Sequence, residues 1–335
     1  MEDAVAPAVG WDDGVAVVDR ASLSEVCSCV RAASARVQMS DAHTTALVAI
    51  STQLAQNQLD HAGGGRVVVR ASETLGPGRL EVVAMDRGPG IADIAAALRR
   101  RTARLGNHDS GLAAVVELAD EIDIDVRIGE GTCVRARKGP SSIRQRQVGV
   151  FGRPVREERT SGDDAAFARH AECLLVGLAD GLGHGAAARE ASARTARVLA
   201  SDPTQSPAAL LGRCHSAVEG SRGAVMTAVR IERGTDATLA AVGNVTAYVF
   251  GAGRSERLAS GSHVLGAPGG LAGMATQRFS LSPREALVLY SDGLPWYVDL
   301  TGEAALLREH PAVVAHALVA RHGRGADDEL ALVVS

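Results

Sequence analysis

Helical and strand-like apolar periods alternate along this chain, with a polar break about 140 residues in. From Asp41 to about Asp60, Leu47, Ile50 and Leu54 recur at helical spacing, which predicts a helix capped by Asp41. His61-Ala-Gly-Gly-Gly65 stops it. Short runs from Arg66 to Arg70 and from Leu80 to Met85 then predict strands on either side of a Gly76-Pro77-Gly78 turn. A weaker segment, 92–110, leads to a helix from Gly111 to Ala119. The alternation Ile122, Ile124, Val126, Ile128 predicts a half-buried strand, and Thr132 to Arg137 a last one.

A polar stretch with a Gly-Pro break follows, Lys138-Gly-Pro-Ser-Ser-Ile-Arg-Gln-Arg-Gln147, with the composition of a linker. Beyond it Val148 to Phe151 predicts a strand. Cys173 to Ala179 is continuously apolar and predicts a buried strand that ends in Asp180. The chain then turns on the glycines of Asp180-Gly-Leu-Gly-His-Gly185 and enters an Ala-rich helix, 186–200. A second helix is predicted over 207–219 and strands over 224–232, 238–242, 245–250 and 286–290. Helical stretches at 302–308 and 311–321 precede a final strand after Asp327-Asp328. The expected organisation is a domain over 1–138, a linker over 139–147 and a second domain over 148–335, both of α+β class.

Composition narrows this little. The 335 residues suit roughly two domains, and 46% hydrophobic content can fill two cores, built of Val, Leu, Ile and Ala because only 3% is aromatic. A net charge of −4 gives no nucleic-acid footprint. Arg99-Arg-Arg101 with Arg104 reads as a solvated helix face. The five cysteines form no C-x-x-C pair, and Cys133 and Cys173 read as core residues, so neither a zinc site nor a disulfide framework is expected. The acidic start Met1-Glu-Asp has no signal-peptide pattern, and no run is long enough to span a membrane. A cytoplasmic protein is the expectation.

The candidate chemistry is carboxylate chemistry. Asp163, Asp180, Asp292 and Asp327 all stand beside predicted strand ends. Grouped carboxylates repel one another and need a cation. An all-oxygen set suits Mg²⁺ or Mn²⁺ rather than zinc. Two such ions about 4 Å apart can generate hydroxide and hold a phosphoryl oxygen for in-line attack.

The motifs Ser161-Gly-Asp163, Ala179-Asp-Gly-Leu-Gly-His-Gly185, Gly223-Ala-Val-Met-Thr227, Val242-Gly-Asn244, Leu289-Tyr-Ser-Asp-Gly293 and Asp327-Asp328 occur in the order found in metal-dependent PPM protein phosphatases. The second domain resembles the SpoIIE-like branch, and within it the small stressosome-feedback phosphatases. That resemblance implies a PPM-type αββα four-layer sandwich holding two Mn²⁺ or Mg²⁺ ions. Asp180 would bridge the two, with Asp163 and the Gly181 carbonyl completing one site and Asp292 and Asp327 the other. The roles of Asp164 and Asp328 stay open, and His184 is either a proton donor or, as we favour, a turn residue.

The first domain carries an asparagine, Asn57, near the end of its helix, and the run Asp86-Arg-Gly-Pro-Gly-Ile91 after a strand. It resembles GHKL-type ATP-binding domains, closest to the anti-sigma-factor serine kinases. The implied fold is an α/β two-layer sandwich. Asn57 would hold Mg²⁺ beside the phosphates, Asp86 would read the adenine amine, and Gly88 and Gly90 would close over the base. Two departures weaken the kinase. Gln53 stands where the family has its general base, and an amide cannot accept a proton near neutral pH. The glycine-rich lid is reduced to Leu105-Gly-Asn-His-Asp-Ser-Gly111, keeping Gly106 and Gly111.

Together the resemblances imply a phosphoserine/phosphothreonine protein phosphatase of a bacterial partner-switching stress pathway. Phosphorylated STAS-domain regulators or stressosome-type proteins would be its partners, and its N-terminal domain would dock a partner or sense ATP. A non-catalytic sequestering switch and a bifunctional kinase–phosphatase are the alternatives.

Overall fold

The computed structural model describes residues 14–71, 78–99, 111–140, 145–156, 158–170, 173–251 and 253–335. The chain forms two compact units, one through Gln147 and one from Val148 to Ser335. In the first, β1 (Val15–Val17), α1 (Ser22–Arg36) and α2 (Asp41–Asn57) lead into β2 (Gly65–Ala71) and β3 (Leu80–Met85). Two helices, α3 (Ile94–Arg99) and α4 (Gly111–Leu118), precede the hairpin of β4 (Glu121–Arg127) and β5 (Gly131–Lys138). The strands lie in the order β1-β2-β3-β5-β4, each pair antiparallel.

Helix α2 is the spine of this unit. Its Leu47, Ile50 and Leu54 are buried as the helical spacing requires, and it packs on α1, α4 and the sheet. Its cap is Ser40, whose Oγ accepts from the His43 N–H at 3.3 Å; Asp41 is already the first helical residue. The helix does not run on regularly to Asp60. After Asn57 it loosens into one π-helical turn, Gln58–Ala62, which Gly63 ends in the left-handed region. The predicted turn at residues 76–78 and the lid at 105–111 lie outside the described residues except for Gly78 and Gly111.

The strand expected to be half-buried is buried throughout. Glu121, Asp123, Asp125 and Arg127 alternate with Ile122, Ile124 and Val126, yet both sets are sealed from solvent. The polar set is buried as ion pairs. Arg137 of β5, fully buried, donates from Nη1 to Asp123 at 2.7 Å and to Glu81 at 3.1 Å, and from Nε to Glu121 at 3.0 Å. Arg79 reaches Glu121 at 2.9 Å. Burial alone would raise the Glu81 carboxyl, but Arg137 and Arg70 together hold it below the usual range. The stretch read as a linker is also anchored. The Gly139 N–H donates to Asp120 at 2.9 Å and the Gln145 N–H to Glu121 at 2.9 Å.

The second unit stacks two antiparallel sheets. One contains β7 (Asp163–His170), β8 (Cys173–Gly181), β9 (Ala224–Glu232), β10 (Asp236–Val242) and β13 (Ala275–Ser280), in the order β13-β10-β9-β8-β7. The other contains β6 (Val148–Arg153), β11 (Thr246–Gly251), β12 (Arg254–Arg257), β14 (Ala286–Tyr290) and β15 (Glu329–Val334), in the order β6-β15-β14-β11-β12. Val176, Leu178, Val229 and Leu239 of the first sheet meet Val150, Val249, Leu289 and Leu332 of the second in one core. Helices α5 (Gly185–Ser201) and α6 (Pro207–Ala217) pack on the outer face of the first sheet, burying Leu199, Leu210 and Leu211. On the outer face of the second sheet, α7 (Pro311–His322) covers β6 and β15. The helical stretch expected at 302–308 is only a short 3₁₀ turn, Leu306–Arg308.

Candidate functional site

Strand register brings the carboxylates of the second unit together. In the β7–β8 pair Asp163 stands directly opposite Asp180. Asp292 follows the end of β14, and Asp327 and Asp328 precede β15 beside it. Exposure rises across the set: Asp163 is buried, Asp180 and Asp327 are half-buried, and Asp292 faces solvent.

Burial, then the charge of Asp180 and those of Asp328 and Asp292, push the Asp163 carboxyl well above its usual range. Burial followed by Asp292, Asp327 and Asp328 pushes Asp180 up to about 7. Asp163 Oδ2 is sealed from solvent with no hydrogen-bond partner, and the Ser291 hydroxyl beside the carboxyl opposes the rise. A buried acceptor without a donor, ringed by like charges, is stable only with a proton or a cation at that point.

Surrounding groups fix the set. The Asp163 N–H donates to Ser161 Oγ at 3.1 Å, and Arg189 Nη1 donates to the Asp163 carbonyl at 2.7 Å. Asn244 Nδ2 donates to Asp292 Oδ2 at 3.1 Å, so the Val242-Gly-Asn244 motif orients that carboxylate. Gly181 is confined by the first turn of α5. A Cβ there would lie 2.0 Å from the Ala188 carbonyl oxygen, so only glycine lets the helix sit against the strand end.

The structure also separates the neighbouring aspartates. Asp328 spends both oxygens on backbone amides: Oδ1 accepts from Val155 at 2.8 Å and Oδ2 from Gly162 at 2.7 Å. It ties the Ser161–Asp163 loop down. Asp164 is fully buried, with Oδ1 accepting from the Ala165 N–H at 2.8 Å and Arg189 at 3.6 Å from Oδ2. His184 is the turn residue at the start of α5, and its Nδ1 also lies 3.3 Å from Asp327 Oδ1. With Asp327 and Asp328 it forms a group whose ligand atoms fall within 4.8 Å of one another. Arg189 was missed by sequence reasoning, since nothing marks one arginine of a helix as buried against a strand.

In the first unit, Asn57 is the last α-helical residue of α2, and Gln53 Nε2 donates to its Oδ1 at 3.3 Å. Asp86 follows β3. Its Oδ1 accepts from the Gly88 N–H at 2.8 Å and the Thr132 N–H at 3.2 Å, leaving Oδ2 outside both bonds. Burial raises its pKa against these bonds. Gln58, buried and unmarked in the sequence, donates from Nε2 to the Arg66 carbonyl at 2.9 Å and the Met85 carbonyl at 3.0 Å. It thereby pins the residue after Asn57 to the residue before Asp86. Gly88 leaves no room for a side chain, with Ala62 Cβ only 2.6 Å from where a Cβ would be. Gly90 has a φ of +76°, and Gly111, at the start of α4, has open space around it.

Residues 170–335 match the family described as Stage II sporulation protein E (SpoIIE), a span that leaves Asp163 outside. Residues 17–138 match the Histidine kinase-like ATPase domain. The serine/threonine-protein kinase RsbT of Bacillus subtilis (strain 168) is 34% identical over 87 residues, which are 26% of this chain; the chain spans 65% of the length of that relative. Among solved structures, a chain of "The bacterial stressosome: a modular system that has been adapted to control secondary messenger signaling" has a TM-score of 0.53 at 21% identity, covering 57% of this chain and all of that one. RsbX in complex with magnesium has a TM-score of 0.50 at 21% identity, covering 58% of this chain and 96% of RsbX. Those likenesses establish the two-sheet fold. No described helix is long and apolar enough to cross a membrane.

Proposed function

Because residues 170–335 match the SpoIIE family and residues 17–138 the histidine kinase-like ATPase domain, we propose that the chain is a divalent-metal-dependent phosphoserine/phosphothreonine protein phosphatase of a partner-switching pathway. The observation that carries this reading is the convergence of Asp163, Asp180, Asp292 and Asp327 around a buried, partnerless carboxylate oxygen. That donor set is all oxygen and fits Mn²⁺ or Mg²⁺. Asp180 is central, with Asp163 and the backbone of Gly181 on the buried side and Asp292 and Asp327 on the open side. Bound divalent ions there supply a lowered pKa for water and neutralise phosphoryl charge.

The protein's own part is positional. Asp328 and Ser161 hold Asp163 in place, and Asn244 holds Asp292. Asp292, the exposed member of the cluster, leaves it open to a phosphorylated residue. Asp328 is a support, because its two oxygens already serve amides. Phosphorylated STAS-domain regulators are the substrates this reading assigns, and the cytoplasm its setting.

The N-terminal unit acts as a docking or nucleotide-sensing module. Asp86 keeps one oxygen for an adenine amine, which supports ATP as a ligand with Mg²⁺ near Asn57. Gln53 spends its amide on Asn57 and offers no base for a serine hydroxyl, so phosphoryl transfer is not its role. Turnover of an aryl phosphate in Mn²⁺, abolished by EDTA and by Asp180→Asn, is the test. A folded chain with no turnover of any phosphoester would favour a non-catalytic sequestering protein.

A further inference from the structure

The chain has only three tyrosines, two tryptophans and four phenylalanines. All three tyrosines, with Phe250 and Trp296, gather on the outer face of β11 and β14. Tyr248 stacks on Phe250 with ring centres 5.2 Å apart and lies parallel to Tyr290 at 6.4 Å. Tyr297 meets Tyr248 edge-on at 6.4 Å, and Trp296 lies 5.8 Å from Tyr297. The cluster has two levels. Tyr248, Phe250 and Tyr290 are buried and close the fold where α7 does not reach. Trp296 is 71% exposed and Tyr297 49% exposed, so neither ring is needed to cover the sheet.

The segment that carries the outer rings is anchored on both sides. Leu294 and Val298, on either side of the Trp296-Tyr297 pair, are buried to 2% and 1% exposure. Arg257, opposite Tyr248 in the β11–β12 register, places its guanidinium 6.0 Å from the Trp296 ring centre. Neighbouring Glu256 and Glu285 are both taken by Arg254. Trp, Tyr and Arg at a surface are the residue types that dominate protein–protein binding energy. The Trp296-Tyr297 pair begins four residues after Asp292, the exposed member of the carboxylate cluster. Leu182, 39% exposed and two residues after Asp180, is a second exposed apolar side chain near that cluster in sequence.

We propose that Trp296, Tyr297 and Arg257 form the docking platform for the phosphoprotein substrate. They would take an apolar side chain with an adjacent carboxylate on the substrate's surface, beside its phosphorylated residue. Cation and aromatic ring together set that chemistry: the ring buries an apolar group, and the guanidinium pairs with an acid. The short stretch of chain between Asp292 and Trp296, four residues and so at most about 14 Å, argues for the substrate as occupant. The inference rests on the phosphatase reading and assigns its protein selectivity to this surface.

The test compares a serine-phosphorylated STAS-domain protein with p-nitrophenyl phosphate, using the full chain in Mn²⁺. Trp296→Ala and Arg257→Glu should each lower kcat/KM for the phosphoprotein about tenfold or more, through KM, and leave aryl phosphate turnover unchanged. Equal losses on both substrates, or no loss on the phosphoprotein, would overturn the platform. Binding of the phosphoprotein to the Asp180→Asn chain reads the same surface without turnover and should weaken about tenfold with Trp296→Ala. Unchanged affinity there would overturn the platform whether or not the wild-type chain is a phosphatase. A dimer that Trp296→Ala converts to monomer, with phosphoprotein kinetics unaffected, would assign the patch to self-association and also overturn it.

Discussion

Asp163 and Asp180 face each other across adjacent antiparallel strands, one buried and the other half-buried, with no cation side chain paired to either carboxylate among the described residues. Burial of Asp180 and the charges of Asp292, Asp327 and Asp328 around it cost the metal-free chain stability, and the cost depends on pH. Asp180 titrates at about 7 when folded, against about 3.9 when unfolded. Between these values the folded chain keeps a proton that the unfolded chain has released. The stabilising contribution is therefore full below about pH 4 and lost as pH rises through about 7. In EDTA, Asp180→Asn should raise the Tm relative to the parent, by on the order of 5 °C at pH 8 and by little near pH 4.5. Mn²⁺ should stabilise the parent at pH 8 and not the variant. Thermal melts over that pH range check all three expectations.

Asp327 and Asp328 are neighbours with opposite duties, and paired substitutions separate them. Asp328→Ala leaves the Val155 and Gly162 amides without their acceptors. It should cost about 2–4 kcal/mol, visible in urea melts, and should lower activity by releasing the Ser161–Asp163 loop. Asp327→Ala removes a half-exposed carboxylate and should leave stability within about 1 kcal/mol while abolishing metal-dependent turnover.

Arg137 holds Asp123, Glu81 and Glu121 in a place with no access to solvent. Arg137→Met strands those carboxylates and should destabilise the N-terminal unit by about 3–5 kcal/mol. A two-step melt, with only one step moving, is the expected trace. The aryl phosphatase activity should persist below that first transition.

Gln53 occupies the place of a base. Isothermal titration with ATP·Mg²⁺ should give weak binding that Asp86→Asn abolishes, since Asp86 is the acceptor expected to meet the adenine amine. Labelled-ATP assays should show no phosphoryl transfer to a STAS-domain protein from the parent chain. Transfer by the parent at a rate comparable to its phosphatase turnover would establish the bifunctional alternative.

Much of this was legible in the sequence where burial is one-sided or complete. Cys173 to Ala179 reads as a buried strand because it is continuously apolar, and its end delivers Asp180 as expected. Strand β7 was visible only as a motif, since Asp-Asp-Ala-Ala-Phe-Ala-Arg-His lacks the β-branched residues that mark strands. Helix α1 escaped because Val26, Val30 and Ala33 are spaced among serines and cysteines that dilute the pattern. The charged face of β4 was misjudged for a physical reason. Alternation predicts one wet face, and only tertiary ion pairing by Arg79 and Arg137 makes a second dry one. The sequence named the candidate carboxylates and, within the same motifs, Ser161 and Asn244, but not the other supports. Arg189, Gln58 and the division between Asp327 and Asp328 depend on which amide or carbonyl each side chain meets.

The central claim is tested most directly by following release of phosphate from a serine-phosphorylated STAS-domain protein, by mass spectrometry of the intact substrate, in Mn²⁺ and in EDTA. Complete dephosphorylation in Mn²⁺, none in EDTA and none with Asp180→Asn is the predicted result. Phosphate retained by the substrate under all conditions, with the chain folded and the metal present, would contradict the account.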